Sequence, residues 1–293
     1  MPSVLVFGAT GVVAQFLLPR LVARGEHVIA LSRQPPASEH GDDRIEWLRG
    51  DLFAEVPPLP AAEIIYSLGP LDAFADWFER AAPAGVHRVI ALSSMSAESK
   101  QESSDPAERD LAARLRGAEA RLLQAAQTRT IACTVFRPTL IYGSGRERSL
   151  ARIARLALRW RVLPIPYGAD GLRQPVHAAD LATACLAARE NVATFGHTYA
   201  LGGGERLRFD TLLERLRAAL PRWVLPLPVP LWLLRLAARF ARGASVAAAI
   251  ARLRVPLVAD NATAARDFGY APRAFTAQDV LAGPLNRADF LGK

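Results

Sequence analysis

Seven residues near the start of the chain carry its plainest chemistry. Gly8-Ala9-Thr10-Gly11-Val12-Val13-Ala14 follows the apolar run from Val4 to Phe7 and opens a largely apolar helix pattern from Val12 to Leu21. Strand, glycine turn and helix make the first unit of a dinucleotide-binding fold. Gly8 permits the tight turn, Gly11 lets a pyrophosphate approach the backbone, and Ala14 leaves room for the helix to pack on the strand. The helix N-terminus offers free N–H groups and the positive end of its dipole to phosphates. The spacing is G-x-x-G-x-x-A rather than G-x-G-x-x-G. Its weight therefore comes from its position at the head of alternating strand and helix patterns. A glycine turn that binds nothing is the alternative.

A second set of candidates lies at the ends of predicted strands, where a parallel sheet meets its ligand. Ser32 and Arg33 follow the second strand pattern, His27 to Leu31. An acidic side chain there would accept from both ribose hydroxyls of NAD. Arg33 instead offers a guanidinium for a 2′-phosphate and a planar face for adenine, which favours NADP over NAD. Asp51 and Leu52 follow the third pattern, Ile45 to Leu48; Asp51 either accepts from the adenine amino group or makes a turn. Ser67, Leu68 and Gly69 end the fourth pattern, Ser93 and Ser94 the fifth, and Arg137 and Pro138 the sixth. His177 and Asp180 are either an acid–base pair or, as expected, a capping residue and a carboxylate at a helix N-terminus.

Alternating elements must position these groups. Helix patterns cover Leu71 to Ala84 and the stretch to about Gln127, the latter announced by Asp105-Pro106-Ala107-Glu108 as N-cap, first helical proline and third-position glutamate. With strands at Glu63–Tyr66, Arg88–Leu92 and Thr130–Arg137, the expectation is an α/β Rossmann-type doubly wound parallel sheet. Beyond Gly145 a smaller, mainly helical part should cover the substrate. Residues 1–168 are expected to form the NAD(P)-binding unit and 169–293 the C-terminal part, with a strand and helix at about 172–200 returning to the core. Helices are read at Arg146–Arg161, Ala178–Arg189, Phe209–Leu220, Leu231–Ala241, Val246–Leu253 and Ala262–Phe268. Pro164–Gly171 reads as a loop and Pro221–Pro230 as a proline-punctuated link.

Composition sets the outer limits. The 293 residues are 51% hydrophobic and 22% charged, enough for a large core and unlike a disordered chain. A net charge of +8 favours anionic ligands. The excess is almost all arginine; the lysines are Lys100 and Lys293. Cys133 and Cys185 sit in apolar segments, with neither metal-ligand spacing nor a disulfide framework. No uninterrupted apolar stretch suits a membrane span and no basic leader precedes the first strand, so a cytoplasmic protein is expected. No basic stripe interleaved with aromatics points to nucleic acid.

In their order and separation, several pieces resemble the extended short-chain dehydrogenase/reductases, in the NAD-dependent epimerase/dehydratase branch. They are Gly8-Ala-Thr-Gly11-x-x-Ala14, Gly50-Asp51-Leu52, Leu92-Ser93-Ser94, Arg137-Pro138-x-x-x-Tyr142-Gly143, Gln174-Pro-Val-His177-x-x-Asp180, Tyr199-x-Leu-Gly-Gly203 and Phe268-Gly-Tyr-x-Pro272. The resemblance implies an N-terminal dinucleotide domain and a smaller part over the substrate; many relatives act on nucleotide sugars. It also implies a tyrosine acid–base whose pKa is lowered by a lysine four residues on, with a serine or threonine steadying the substrate oxygen. No Tyr-x-x-x-Lys exists in this chain. Within the helix after Asp105, Arg114 or Arg116 would take the lysine's place and Asp110 or Ala112 the tyrosine's. Ala112 moves no proton, and Asp110 is expected to pair with Arg114. Lys100 either folds over the nicotinamide or stays solvated. Ser94 and Tyr142 remain the catalytic candidates.

Two functions follow. One is an atypical NADP-linked oxidoreductase or epimerase-like enzyme on an unidentified small substrate, favoured by the substrate-side motifs. The other is a non-catalytic NADP(H)-binding sensor, regulator or assembly factor, favoured by the missing pair. Basic amphipathic patterns at Arg152–Arg161 and Leu231–Phe240 are expected to pack internally, with contact to an anionic membrane surface as the alternative. Helices flanking such a sheet are also where a homodimer would form.

Overall fold

The computed structural model describes residues 3–36, 43–147, 149–240 and 250–281. Its centre is a seven-stranded, all-parallel sheet. The strands are β1 (Ser3–Phe7), β2 (His27–Ser32), β3 (Ile45–Arg49), β4 (Ile64–Ser67), β5 (Arg88–Leu92), β6 (Ala132–Pro138) and, after four intervening strands that lie outside this sheet, β11 (Thr198–Leu201). Their order is β11-β6-β5-β4-β1-β2-β3. The order reverses between β1 and β4, so the crevice at their carboxyl ends is where such a sheet binds a ligand.

Burial of both sheet faces explains the continuous apolar strands. Val4 and Val6 of β1 pack on one side with α1 (Ala14–Ala23) and α6 (Ala178–Arg189). Leu5 and Phe7 pack on the other with α2 (Leu71–Ala81) and α4 (Pro106–Thr128). α4 starts where its cap residues place it: an Asp105 carboxylate oxygen accepts from the Ala107 N–H at 3.0 Å, and Pro106 needs no acceptor. α6 and β11 lie in and against the main sheet.

Arg88, at the head of β5, is 2% exposed and among the described residues pairs with no carboxylate. Its guanidinium donates to the carbonyls of Val89, Ala132, Ala188 and Arg189 and to the hydroxyls of Thr134 and Thr194. It thereby ties β5 and β6 to the end of α6. Burial lowers its pKa to about 10.

The remaining elements form a smaller body with its own core of Tyr142, Leu150, Ala154, Leu163, Ile165, Leu212, Leu216 and Phe275. Its elements are β7 (Ile141–Tyr142), α5 (Leu150–Trp160), β8 (Val162–Tyr167), β9 (Leu172–Arg173), β10 (Val176–His177), β12 (Leu207–Arg208), α7 (Phe209–Ala218), β13 (Leu225–Pro230) and α8 (Leu231–Phe240). The chain leaves the sheet after Pro138, and residues of α5 and β8 share a core with those of α7.

Two expectations are corrected. The stretches read as a loop and a link, around Pro164 and Pro226, are strands β8 and β13, paired in parallel with Val162 opposite Leu225 and Tyr167 opposite Pro230. Leu225 N–H donates to the Arg161 carbonyl at 2.9 Å. Alternation then turns every proline of the pair, at 164, 166, 226, 228 and 230, toward an outer edge where no N–H is needed. A short helix, α9 (Ala262–Phe268), packs back on the main core. The helix read at Val246–Leu253 lies partly outside the described residues; Arg252–Arg254 is a single 3-10 turn.

Candidate functional site

The crevice is built by backbone contact between the turns after β1 and β4. Gly8 has φ +70°, and a β-carbon there would stand 2.8 Å from the Gly69 nitrogen and 2.9 Å from the Leu68 carbonyl carbon. Gly11 donates to the Gly8 carbonyl at 2.8 Å, and a β-carbon on Gly11 would press on that oxygen at 2.9 Å. No side chain caps α1 and its first turn holds no acidic residue. An uncapped helix start beside a turn bounded by two glycines is a cradle that fits a diphosphate.

Two adjoining cavities open from this turn. One, about 450 Å³, is lined by Gly8, Thr10, Gly11, Val12, Ser32, Arg33, Asp51, Leu52, Leu68 and Gly69 together with Arg146. The other, about 960 Å³, extends past the end of β2 and is lined by Arg33, Arg49 and Arg146 along with Asp51 and Glu55. Thr10 and Ser32 hydroxyls are hydrogen-bonded at 3.0 Å, joining the glycine turn to β2. The Asp51 carboxylate accepts from the Phe53 N–H at 3.0 Å, so turn chemistry occupies one of its oxygens. Among the described residues the guanidiniums of Arg33, Arg49 and Arg146 meet no carboxylate or hydrogen-bond acceptor, unlike those of Arg24, Arg137 and Arg189.

Several sequence candidates fall outside these cavities. Ala9 and Val13 are core residues, and the Ala9 N–H is spent on the Leu31 carbonyl at 3.2 Å. Ser67 is buried beneath the site and its hydroxyl has no partner. Pro138 lies in the sheet and its carbonyl accepts from the Met95 N–H at 3.0 Å. Ser93 and Arg137 converge instead on Glu119 of α4. The Ser93 hydroxyl donates to one Glu119 oxygen, and Arg137 holds both oxygens through Nε at 3.0 Å while also reaching Glu98. The Glu119 hydrogen bond raises the Arg137 pKa. Arg49, Arg146 and Glu119 were not among the sequence candidates. Arg49 ends β3, so the strand-end rule that singled out Arg33 would have reached it.

No protein-family model matches the chain. The uncharacterized protein y4nG of Sinorhizobium fredii is 25% identical over 247 residues, which cover 74% of this chain and 60% of that relative, so the match leaves a large part of the relative unaccounted for. UDP-glucose 4-epimerase of Vibrio cholerae is 21% identical over 268 residues, 80% of each chain. The crystal structure of UDP-glucuronic acid 4-epimerase from Bacillus cereus in complex with NAD superposes with a TM-score of 0.72 at 14% identity, covering 99% of this chain and 100% of that one. The fold is Rossmann-like and matches that of solved epimerase and dehydratase structures.

α4 turns Glu108, Ala112 and Glu119 inward. On the same stripe, four residues apart, stand the half-buried Leu111 and Leu115, which hold no proton. Asp110 and Arg114 face outward and pair at 3.2 Å, with Asp72 as a second partner of Arg114. Lys100 pairs with Glu108 at 3.3 Å, and Arg252 meets the same carboxylate. Burial opposes ionisation of Glu108, but the Ser103 hydrogen bond and the Lys100 and Arg252 charges hold its pKa below the usual carboxylate range.

Tyr142, expected to be a candidate proton donor, is a core residue. It is 0% exposed, its ring packs edge-on to His177 and Phe275, and its oxygen accepts from the Thr276 N–H at 3.2 Å. Burial pushes its phenol up to about 12, far from neutral pH. His177 caps α6: its Nδ1 accepts from the Ala179 N–H at 3.0 Å, and burial lowers its pKa. Asp180 binds Arg273 at 2.8 Å. Ser94 is left as a half-buried hydroxyl that accepts from the Ser96 N–H at 3.1 Å. Just beyond it, α3 (Ser96–Ser99) borders a cavity of about 240 Å³. Lys100, Arg173 and Arg252 share its wall with Leu140, Ile153, Phe209 and Leu257.

Proposed function

We propose that the chain binds NADP(H) in the crevice at the ends of β1, β2 and β4. We propose further that it is an atypical oxidoreductase or epimerase-like enzyme acting on a small substrate lodged beyond Ser94. The coenzyme choice rests on one observation: three guanidiniums without a partner among the described residues line one cavity, and the end of β2 carries Arg33 where an NAD-selective site would carry a carboxylate, although Asp51 and Glu55 also reach that cavity. The solved relative with NAD makes NAD the competing choice.

The coenzyme, when bound, supplies hydride transfer. The chain's own contribution is narrower than in a tyrosine-dependent enzyme. Ser94 has its acceptor side used by the Ser96 N–H, which leaves its O–H free to donate to a substrate oxygen. Ser93 is committed to Glu119 and stiffens the strand end rather than meeting substrate. The cavity lined by Lys100, Arg173 and Arg252 supports the enzyme reading, because a coenzyme sensor needs no second compartment. The missing Tyr-x-x-x-Lys pair favours the second reading, a non-catalytic NADP(H) sensor, regulator or assembly factor. The test is NADPH consumption across a panel of ketones and aldehydes. Turnover that falls at least about tenfold in Ser94→Ala, with NADPH binding kept, supports the enzyme. Tight binding without turnover on any of them supports the sensor.

A further inference from the structure

Three of the chain's five tryptophans stand on the outside of the C-terminal body. Trp160, Trp223 and Trp232 are 65%, 68% and 66% exposed. Pairing of β8 with β13 brings two of them together. Trp160 lies two residues before Val162 and Trp223 two before Leu225, and Val162 and Leu225 are register partners. Each carries arginine neighbours, in Arg159-Trp160-Arg161 and Arg222-Trp223. Roughly 20 Å along the six-residue ribbon, Tyr167 and then Trp232 mark the other end. Between them Leu225 and Leu227 are exposed on the face opposite the buried Leu163 and Ile165.

The charge around this strip has one sign. No Asp or Glu occurs between Glu147 and Asp170, or between Glu214 and Asp260, whereas both intervals are rich in arginine. Arg152, Arg155, Arg159 and Arg161 are exposed. Of the acids that bound these intervals, Glu147 is buried and Asp170 is paired with Arg254.

We infer that this face docks on an anionic lipid bilayer, with the tryptophans and leucines entering the headgroup boundary and the arginines meeting lipid phosphates. Charge decides among occupants. A second copy would set arginine against arginine across a two-fold axis. A strand from another protein would find both ribbon edges blocked by proline. An anionic bilayer satisfies the apolar strip and the charge together. Among the described residues no helix is long and apolar enough to cross a membrane.

The experiment is flotation of the full chain with vesicles of phosphatidylglycerol and phosphatidylcholine in equal parts, against phosphatidylcholine alone. Binding at least about tenfold stronger to the anionic vesicles is expected, with loss in about 1 M salt, where the Debye length is about 3 Å. Tryptophan emission should shift to the blue on binding. Trp160→Ala/Trp223→Ala and Arg159→Glu/Arg161→Glu should each abolish flotation while NADPH binding and melting temperature stay unchanged. Absence of flotation at low salt overturns the inference, as does flotation unaltered in the folded variants. So does a concentration-dependent dimer that the tryptophan variant dissolves, which would give this face to a second copy.

Discussion

Gly8 and Gly69 touch backbone to backbone, so closely that a β-carbon on Gly8 would lie 2.8 Å from the Gly69 nitrogen. The contact locks the ends of β1 and β4 together at the point where strand order reverses. Gly8→Ala should therefore damage fold and site at once. The left-handed backbone alone costs about 1–2 kcal/mol, before any clash. A lower melting temperature by calorimetry and at least about tenfold weaker coenzyme binding are expected. Unchanged binding in this variant would mean that the turn does not cradle the ligand.

Arg33, Arg49 and Arg146 should set the choice between the two coenzymes. Each guanidinium that meets a 2′-phosphate contributes a charge-assisted hydrogen bond worth about 1.5–3 kcal/mol. Arg33→Ser is expected to weaken NADPH binding about tenfold to a hundredfold and leave NADH within about threefold. Parallel titrations of the two coenzymes measure this. Equal losses for both would assign Arg33 to adenine stacking instead.

The Glu119 carboxylate, nearly buried between Ser93 and Arg137, predicts a stability effect with no change in coenzyme selectivity. Glu119→Ala leaves Arg137 short of its main partner, a loss of about 3 kcal/mol for a buried pair. Urea denaturation should report it. The NADPH-to-NADH preference of the folded variant should not move.

Alkaline pH should expose the buried phenols and thiols. Burial raises Tyr142, Cys133 and Cys185 to about 12, and also raises Tyr199 to about 12. In the unfolded chain these groups lose protons near 9 to 10. The native state then holds more protons, so their stabilising contribution is whole below about pH 9 and drains away as pH rises toward 12. Arg88, lowered to about 10, acts in the opposite sense over the upper part of this range but is one group against several. Melting temperature should fall steadily above pH 9, and Tyr142→Phe should flatten the slope while turnover stays within about twofold. A large loss of turnover in that variant would return Tyr142 to the chemistry.

Much of this was legible because the relevant signals are local. A buried strand such as Val4–Phe7 announces itself by composition, and Asp105-Pro106 marks a helix start to the residue. What stayed hidden is long-range. β8 and β13 look like loops because their prolines are read singly; only the pairing shows that every missing N–H faces outward. Tyr142 sits in a suggestive motif, and only the packing of Phe275 and Thr276 shows its hydroxyl already used. Arg146 and Arg33 are far apart in sequence and meet across one cavity. The α4 stripe from Glu108 to Glu119 could be found by helical spacing, but its inward direction is set by Lys100 and Arg137, contributed by other elements.

The most direct measurement is isothermal titration of the folded chain with NADPH. One molecule per chain, bound at least about tenfold more tightly than NADH, is the predicted result. A cooperatively melting protein that takes up neither coenzyme would contradict the account at its root.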